Sequence, residues 1–288
     1  MRISKAIIPV AGLGTRFLPV SISVPKAMIP VFDRPPIHFS VQEASESGID
    51  HITLVASEGQ ESILKYFDKR PDLEEAVTNR KNPEMLELLR EIPDMADISV
   101  VIQKEQLGLG HAILQARKTI GEQDFAILLP DDLILSNRPT IGEMCSIAEE
   151  TNNMVLAVRE VEEEAVPNLG IVNQGNDFGN TVEVLGMVEK PSLETAPSNM
   201  AIIGRYVLPA EIFEAIQNTP PGSLGEIQLT DGIIALLNTF DCTGYKFTGT
   251  HFDVGTPFGM LNASLHIAKT EFGFDPKKYS FMKSQYQR

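Results

Sequence analysis

The chain has 288 residues, 43% hydrophobic and 22% charged, the composition of a soluble globular protein with enough apolar material for a real core. Its formal net charge of −15, from 24 Lys and Arg against 39 Asp and Glu, argues against a basic nucleic-acid-binding surface and against attraction to anionic membranes. The two cysteines, Cys145 and Cys242, are too few and too far apart for a disulfide framework or a metal site, and no apolar run approaches the ~20 residues of a membrane span, so a cytoplasmic protein with two free thiols is expected.

In chain order, "KAIIPV" reads as a short apolar strand closed by a glycine turn. Pro35 to Ile49 reads as a helix, with proline in its first turn and Gly48 at its end. His51 to Ser57 predicts the next strand and "GQESILKYFDK" the next helix. The stretch from Pro71 to Asp97 is polar, with "PEMLELLREI" as its one good helix, and reads as an excursion off the sheet. Asp97 to Gln103 returns as a strand, and "GLGHAILQARKTIG" predicts a helix after a second glycine turn. Asp124 to Asp132 reads as one fully buried strand that ends in two acids.

The second half predicts strands at "TNNMVLAVREV", "LGIVNQG", "TVEVLGMVEKP" and "AIIGRYVLP", with "NDFGN" as a turn. Helices follow at "PAEIFEAIQNT", "GEIQLTDGIIALLNTF" and "GTPFGMLNASLHIAKTEFG". The βαβαβ opening predicts a mostly parallel sheet with helices on both faces. With no linker or repeat in the chain, one α/β unit carrying an inserted or appended mixed-sheet region is expected.

Open parallel sheets bind ligands beyond the carboxyl ends of their strands, and "AGLGTRFLP", Ala11 to Pro19, sits at such an end. Gly12 and Gly14 permit positive φ and close backbone approach, and successive amides make an anion-binding concavity. Arg16, and Lys26 in the proline-fixed "VPKAMIP", suit phosphate oxygens. The run lacks the third glycine of G-x-G-x-x-G, where Phe17 stands, and no G-K-[ST] follows, so alone it also reads as a structural turn.

Gln103 closes a predicted strand and offers both a donor and an acceptor, which matches the imide edge of uracil or thymine, and Gly108 would let a flat base lie against backbone. Asp131 in "LLPDD" is a carboxylate at the end of a buried strand, where Mg²⁺ with phosphate oxygens would suit it. Asp253 in "HFDVGTP" is a second acid for the same ion, and Asp132 is either an outer group or a cap. Glu189 fits sugar hydroxyls and Lys190 a sugar phosphate, or the two form a surface ion pair. Glu226 in "GEIQLTD" reads either as a sugar-site group or as structural. No Ser–His–acid grouping and no HExxH competes.

With "IPVAGLGTRFLP", "VPKAMIPVFDRP", "QKEQLGLGHAI", "LLPDD", "VEKP", "IIGRYVLP" and "GEIQLTDGI" in this order, nearly the whole chain resembles the bacterial UTP–glucose-1-phosphate uridylyltransferases of the sugar-nucleotidyltransferase family. The resemblance implies a three-layer α/β/α nucleotide-diphospho-sugar transferase fold in one domain over 1–288. Residues 1–135 would mainly bind nucleotide, 150–260 mainly sugar phosphate, and 260–288 would form a helical tail. It implies that Ala11, Gly12, Gly14, Thr15, Gln103, Gly108 and Asp132 meet the nucleotide, and that Arg16 and Lys26 hold the triphosphate. Asp131 and Asp253 would bind Mg²⁺, and Gly170, Glu189, Lys190 and Glu226 would hold glucose 1-phosphate, with Arg16, Lys26, Asp131 and Lys190 the catalytic set. The implied products are UDP-glucose and pyrophosphate, from a homodimer or homotetramer.

Departures from the family pattern are confined to a few positions. Ile22 stands for the usual lysine, Ala27 for the usual glutamate, Leu169 for the usual tyrosine, and "DVGTP" for the uridylyltransferase "DCGSK". They leave open dTTP or another hexose 1-phosphate as substrate, or a weakly active regulatory paralogue.

Overall fold

A computed structural model describes residues 2–222 and 225–275. In chain order the first half contains β1 (Lys5–Pro9), α1 (Pro36–Glu46), β2 (His51–Ala56), α2 (Glu61–Tyr66), α3 (Pro71–Asn79), α4 (Pro83–Glu91), β3 (Asp97–Ile102), α5 (Leu109–Gln115), α6 (Arg117–Ile120), β4 (Phe125–Leu128), β5 (Asp132–Leu135), α7 (Thr140–Thr151) and β6 (Met154–Glu160). The second half contains β7 (Gly170–Asp177), β8 (Thr181–Glu189), β9 (Met200–Leu208), α8 (Ile212–Asn218), α9 (Leu229–Leu236), β10 (Cys242–Lys246), β11 (Thr250–Asp253) and α10 (Pro257–Thr270).

Nine strands form one sheet in the order β3-β2-β1-β4-β9-β6-β10-β8-β7. The first four are parallel, and β9 runs antiparallel to both β4 and β6. The parallel and mixed regions are therefore continuous through β9, and every residue of that strand is buried. Alternation along β1 sends Ile7 to the face covered by α5, α8 and α9, and Ile8 to the face covered by α1 and α7. The result is a three-layer α/β/α fold. Each fully buried Ile or Phe in these two cores contributes roughly 1.5–3 kcal/mol.

Several expectations change. The helix expected after the second glycine turn breaks at Ala116 into α5 and α6. The strand expected over Asp124 to Asp132 stops at Leu128, because Pro130 interrupts it; Asp132 then opens β5, which pairs with β11 outside the main sheet. The polar excursion holds α3 as well as α4, each with proline in its first turn. Strand β10 and helix α7 are additions to the expected elements: the buried Ile141, Met144, Cys145 and Ala148 give α7 a helical spacing, and in β10 Gly244 is small because a Cβ there would lie 2.8 Å from Val182 Cγ1 and 3.0 Å from Val158 Cγ2. Of the tail expected over 260–288, the helix α10 ends at Thr270, and residues 276–288 lie outside the described residues.

Candidate active site

Strand β1 lies between β2 and β4, so the connections from its carboxyl end and from that of β4 leave in different directions and open a crevice. The first glycine turn leaves β1, the second leaves β3, and the Pro130–Asp131 turn leaves β4. All three therefore meet at one edge of the sheet.

In the first turn Gly14 is left-handed, with φ +64°, and a Cβ on it would lie 3.1 Å from Lys26 Cβ and 3.3 Å from Ser21 Cβ. Gly12 has open space where a side chain would be. Phe17, at the missing third glycine, anchors the turn in a small core with Val31, Leu133, Val254 and Met260. The Ala11 carbonyl accepts from Ser57 Oγ at 2.8 Å and from Gln106 Nε2 at 3.0 Å, which ties the first turn to the second.

Lys26 Nζ donates to Asp131 Oδ2 at 2.7 Å. Burial opposes the charge on Asp131, but Lys26, with Arg16 further off, outweighs it and holds the carboxyl below its ordinary range. Pro9, Gly12, Lys26, Ala27, Pro130 and Asp131 line a cavity of about 150 Å³, so Ala27 sits at the site, whereas Ile22 is exposed to solvent.

Asp253 faces Asp132 directly across the β5–β11 ladder. A Cβ on Gly255 would lie 2.9 Å from Asp253 Oδ1 and 3.2 Å from Asp131 Oδ2, so these two carboxylates converge on one point. Burial first, then Asp132 and Asp131, push the Asp253 carboxyl upward, a crowding of like charge that a cation would relieve. Asp132 itself accepts from His251 Nε2 at 2.7 Å. Among the described residues no three His, Cys, Asp or Glu side chains form a metal cage, so an ion held by Asp131 and Asp253 would need ligands from elsewhere. "DVGTP" has a local explanation: Thr256 caps α10 by accepting from Gly259 N, and Pro257 occupies the first turn.

The second turn depends on Gly108, whose φ is +101° and whose Cβ would lie 2.7 Å from the Ile227 carbonyl oxygen. Gln103 is 5% exposed beneath it. Glu226 lies against this turn, with Gln228 Nε2 donating to its Oε2 at 2.8 Å, rather than beside Gly170. Across the cleft, Glu189 Oε2 accepts from Thr230 Oγ1 at 2.7 Å, and a Cβ on Gly170 would lie 3.2 Å from the same oxygen. Lys190 holds a left-handed backbone, φ 48°, with its ammonium half exposed 3.6 Å from Glu189 Oε1. Tyr206, buried among Asp132, Glu189 and Asp131, keeps its phenol proton through burial and those charges.

The sequence model described as nucleotidyl transferase matches residues 5–270. The chain belongs to the nucleotidyl transferase family. It is 40% identical over 282 residues to UTP–glucose-1-phosphate uridylyltransferase 2 of Staphylococcus saprophyticus, covering 98% of each chain. It is 42% identical over 267 residues to the UTP–glucose-1-phosphate uridylyltransferase of Staphylococcus epidermidis, covering 93% of each. A UDP-glucose pyrophosphorylase solved with UDP-glucose superposes with a TM-score of 0.85 at 37% identity, over 93% of this chain and 99% of that one. A UTP-bound enzyme of the same kind from Acinetobacter baumannii gives a TM-score of 0.88 at 38% identity, over 99% and 100%.

This nucleotidyl transferase also holds its loops together through residues not singled out in the sequence, although Gln106 and Thr230 lie within quoted motifs. Ser57, Gln106 and Thr230 bridge loops distant in sequence. Ser21 Oγ, beside Gly14 and Lys26, is the one buried side-chain polar atom among the described residues with no partner. Arg205, 1% exposed, forks onto Glu43 Oε2 at 2.8 and 3.0 Å and donates to the Leu129 carbonyl at 3.0 Å, two residues before Asp131. Arg205 is the arginine of "IIGRYVLP", so it lies in a motif legible in the sequence, but its partner, 162 positions away, is not legible there.

Proposed function

We propose that this nucleotidyl transferase makes UDP-glucose and pyrophosphate from UTP and glucose 1-phosphate. The observation that carries it is the convergence of Lys26, Arg16, Asp131 and Asp253 at the crevice between β1 and β4, with Glu189 and Lys190 facing them from the mixed part of the sheet. Residues 1–135 mainly hold the nucleotide and 150–260 the sugar phosphate.

The amides of Ala11 and Gly12 and the side chain of Gln103 meet the uracil, with Gly108 leaving room for the ring. Gly14, Thr15, Arg16 and Lys26 hold the triphosphate, and the unpartnered Ser21 hydroxyl faces the same loop. Glu189, oriented by Thr230, accepts from sugar hydroxyls near Gly170, and Lys190 holds the sugar phosphate. Asp131 and Asp253 would hold Mg²⁺, and when bound the ion would offset the charge that develops on the phosphates.

No protein nucleophile is required. A phosphate oxygen of glucose 1-phosphate attacks the α-phosphorus of UTP in line; the new P–O bond forms as the bond to the β-phosphate oxygen breaks, and pyrophosphate leaves. The chain's own contribution is to hold two anions together against their repulsion. Lys190 keeps the attacking phosphate in place, and Arg16 and Lys26 stabilise the leaving one. A thermal-shift panel tests it: UTP and UDP-glucose with Mg²⁺ raise the melting temperature, and failure of both to do so overturns it.

A further inference from the structure

Gln103 does not stand alone. Its Nε2 lies 3.0 Å from His111 Nδ1 and 3.4 Å from the Gly108 carbonyl, and none of the described residues donates to its Oε1. On the far side of the imidazole, the Gln115 amide lies 3.0 Å from Nε2. A neutral imidazole has one donor and one acceptor nitrogen, so the two glutamines cannot both turn NH₂ groups toward it; amide oxygen and nitrogen are assigned from such networks.

Two features decide which amide donates. The Gly108 carbonyl can only accept, which places nitrogen on that side of Gln103. Were Gln103 reversed, both N–H groups of a nearly buried amide would lose their acceptors, whereas an unpaired carbonyl is the more tolerable orphan. Gln115 is only partly buried, so its nitrogen can turn to water, and the His111 carbonyl it leaves has a helical partner in α5.

Resting on the assignment of Gln103 to the base, we propose that His111 is a positioning residue for base choice: as the Nε2–H tautomer, pinned by Gln115, it accepts from Gln103 and so turns the Gln103 carbonyl toward the ligand. That edge accepts from a ring N–H, as in uracil or thymine, and opposes the bare ring nitrogen that cytosine presents in the same place. The sequence of contacts is Gln115 oxygen accepting from His111 Nε2–H, and His111 Nδ1 accepting from Gln103 N–H.

The test compares kcat/KM for UTP and CTP, with glucose 1-phosphate and Mg²⁺, and binding of each nucleotide by calorimetry. It uses wild type, His111→Leu, His111→Asn and Gln115→Leu. Leucine at 111 removes the acceptor, and asparagine restores an oxygen near the Nδ1 position. The expected result is a UTP-over-CTP ratio that falls about tenfold or more in His111→Leu, returns to within about threefold of wild type in His111→Asn, and falls severalfold in Gln115→Leu. An unchanged ratio in His111→Leu, while wild type still prefers UTP, overturns the role of His111 and leaves the base site standing. Should His111→Leu not fold, an unchanged ratio in Gln115→Leu has the same force. A wild type that binds UTP and CTP equally overturns the base assignment and the role of His111 together.

Discussion

Lys26 and Asp131 lie 105 positions apart in sequence, and their side chains meet at 2.7 Å. Both remain partly open to the cleft, with 26% and 35% of the side-chain surface exposed, so the pair contributes little to stability, about 1 kcal/mol or less. Its place at the strand ends is better explained by chemistry. Asp131→Asn and Lys190→Ala are each expected to cut turnover by about 100-fold or more while the melting temperature changes little. Steady-state pyrophosphate release with a melting curve on the same samples checks this, and near-normal turnover in either variant removes that residue from the catalytic set.

The two glycine turns separate folding from binding. Gly108→Ala drives a Cβ to within 2.7 Å of the Ile227 carbonyl oxygen at φ +101°, and a loss of about 2–4 kcal/mol is expected in denaturant unfolding. Gly12→Ala has open space around it, so the variant is expected to fold like wild type but, with UTP placed as proposed, to raise KM for UTP by about 10- to 100-fold, because the new methyl group would stand in the nucleotide's approach.

Arg205 and Glu43 form a buried pair, 1% and 10% exposed at the side chain. Arg205→Met leaves Glu43 uncompensated and frees the Leu129 carbonyl, at an expected cost of about 3–5 kcal/mol. The double variant Arg205→Met/Glu43→Met recovers most of that loss. Urea unfolding of the single and double variants measures the difference, and equal losses in both would show that packing rather than the stranded charge is responsible.

Acid sensitivity follows from His38, which is buried with Nδ1 3.0 Å from Tyr66 Oη. Burial first, and then Arg34, push its pKa from 6.5 down to about 4. The folded protein therefore refuses a proton that the unfolded chain accepts. Its contribution is complete above pH 6.5 and is lost as pH falls toward about 4, at roughly 3 kcal/mol across the window. Stability measured between pH 4 and 7 is expected to rise with pH, with a shallower slope in His38→Asn.

Much of this site was legible because its side chains sit beside strand ends that hydrophobic runs announce. Arg16 and Lys26 follow β1, Gln103 follows β3, and Asp131 follows β4. What the sequence hid were partnerships closed by folding. Thr230 reaches Glu189 from the start of α9, and Ser57 and Gln106 meet over the Ala11 carbonyl. The same holds for β5: the expected strand ends at Asp132, where β5 begins, and only the tertiary pairing with β11 defines β5 and brings Asp253 opposite Asp132. Glu226 and Thr230 lie four positions apart but serve different turns, a distinction that periodicity cannot make.

The most direct measurement is pyrophosphate release from the purified chain with Mg²⁺, UTP and glucose 1-phosphate, run beside dTTP and other hexose 1-phosphates. Rapid release with UTP and glucose 1-phosphate, and much slower release with every other pair, is the expected result. Silence in that well, from protein that still binds UDP-glucose, would contradict the proposed activity.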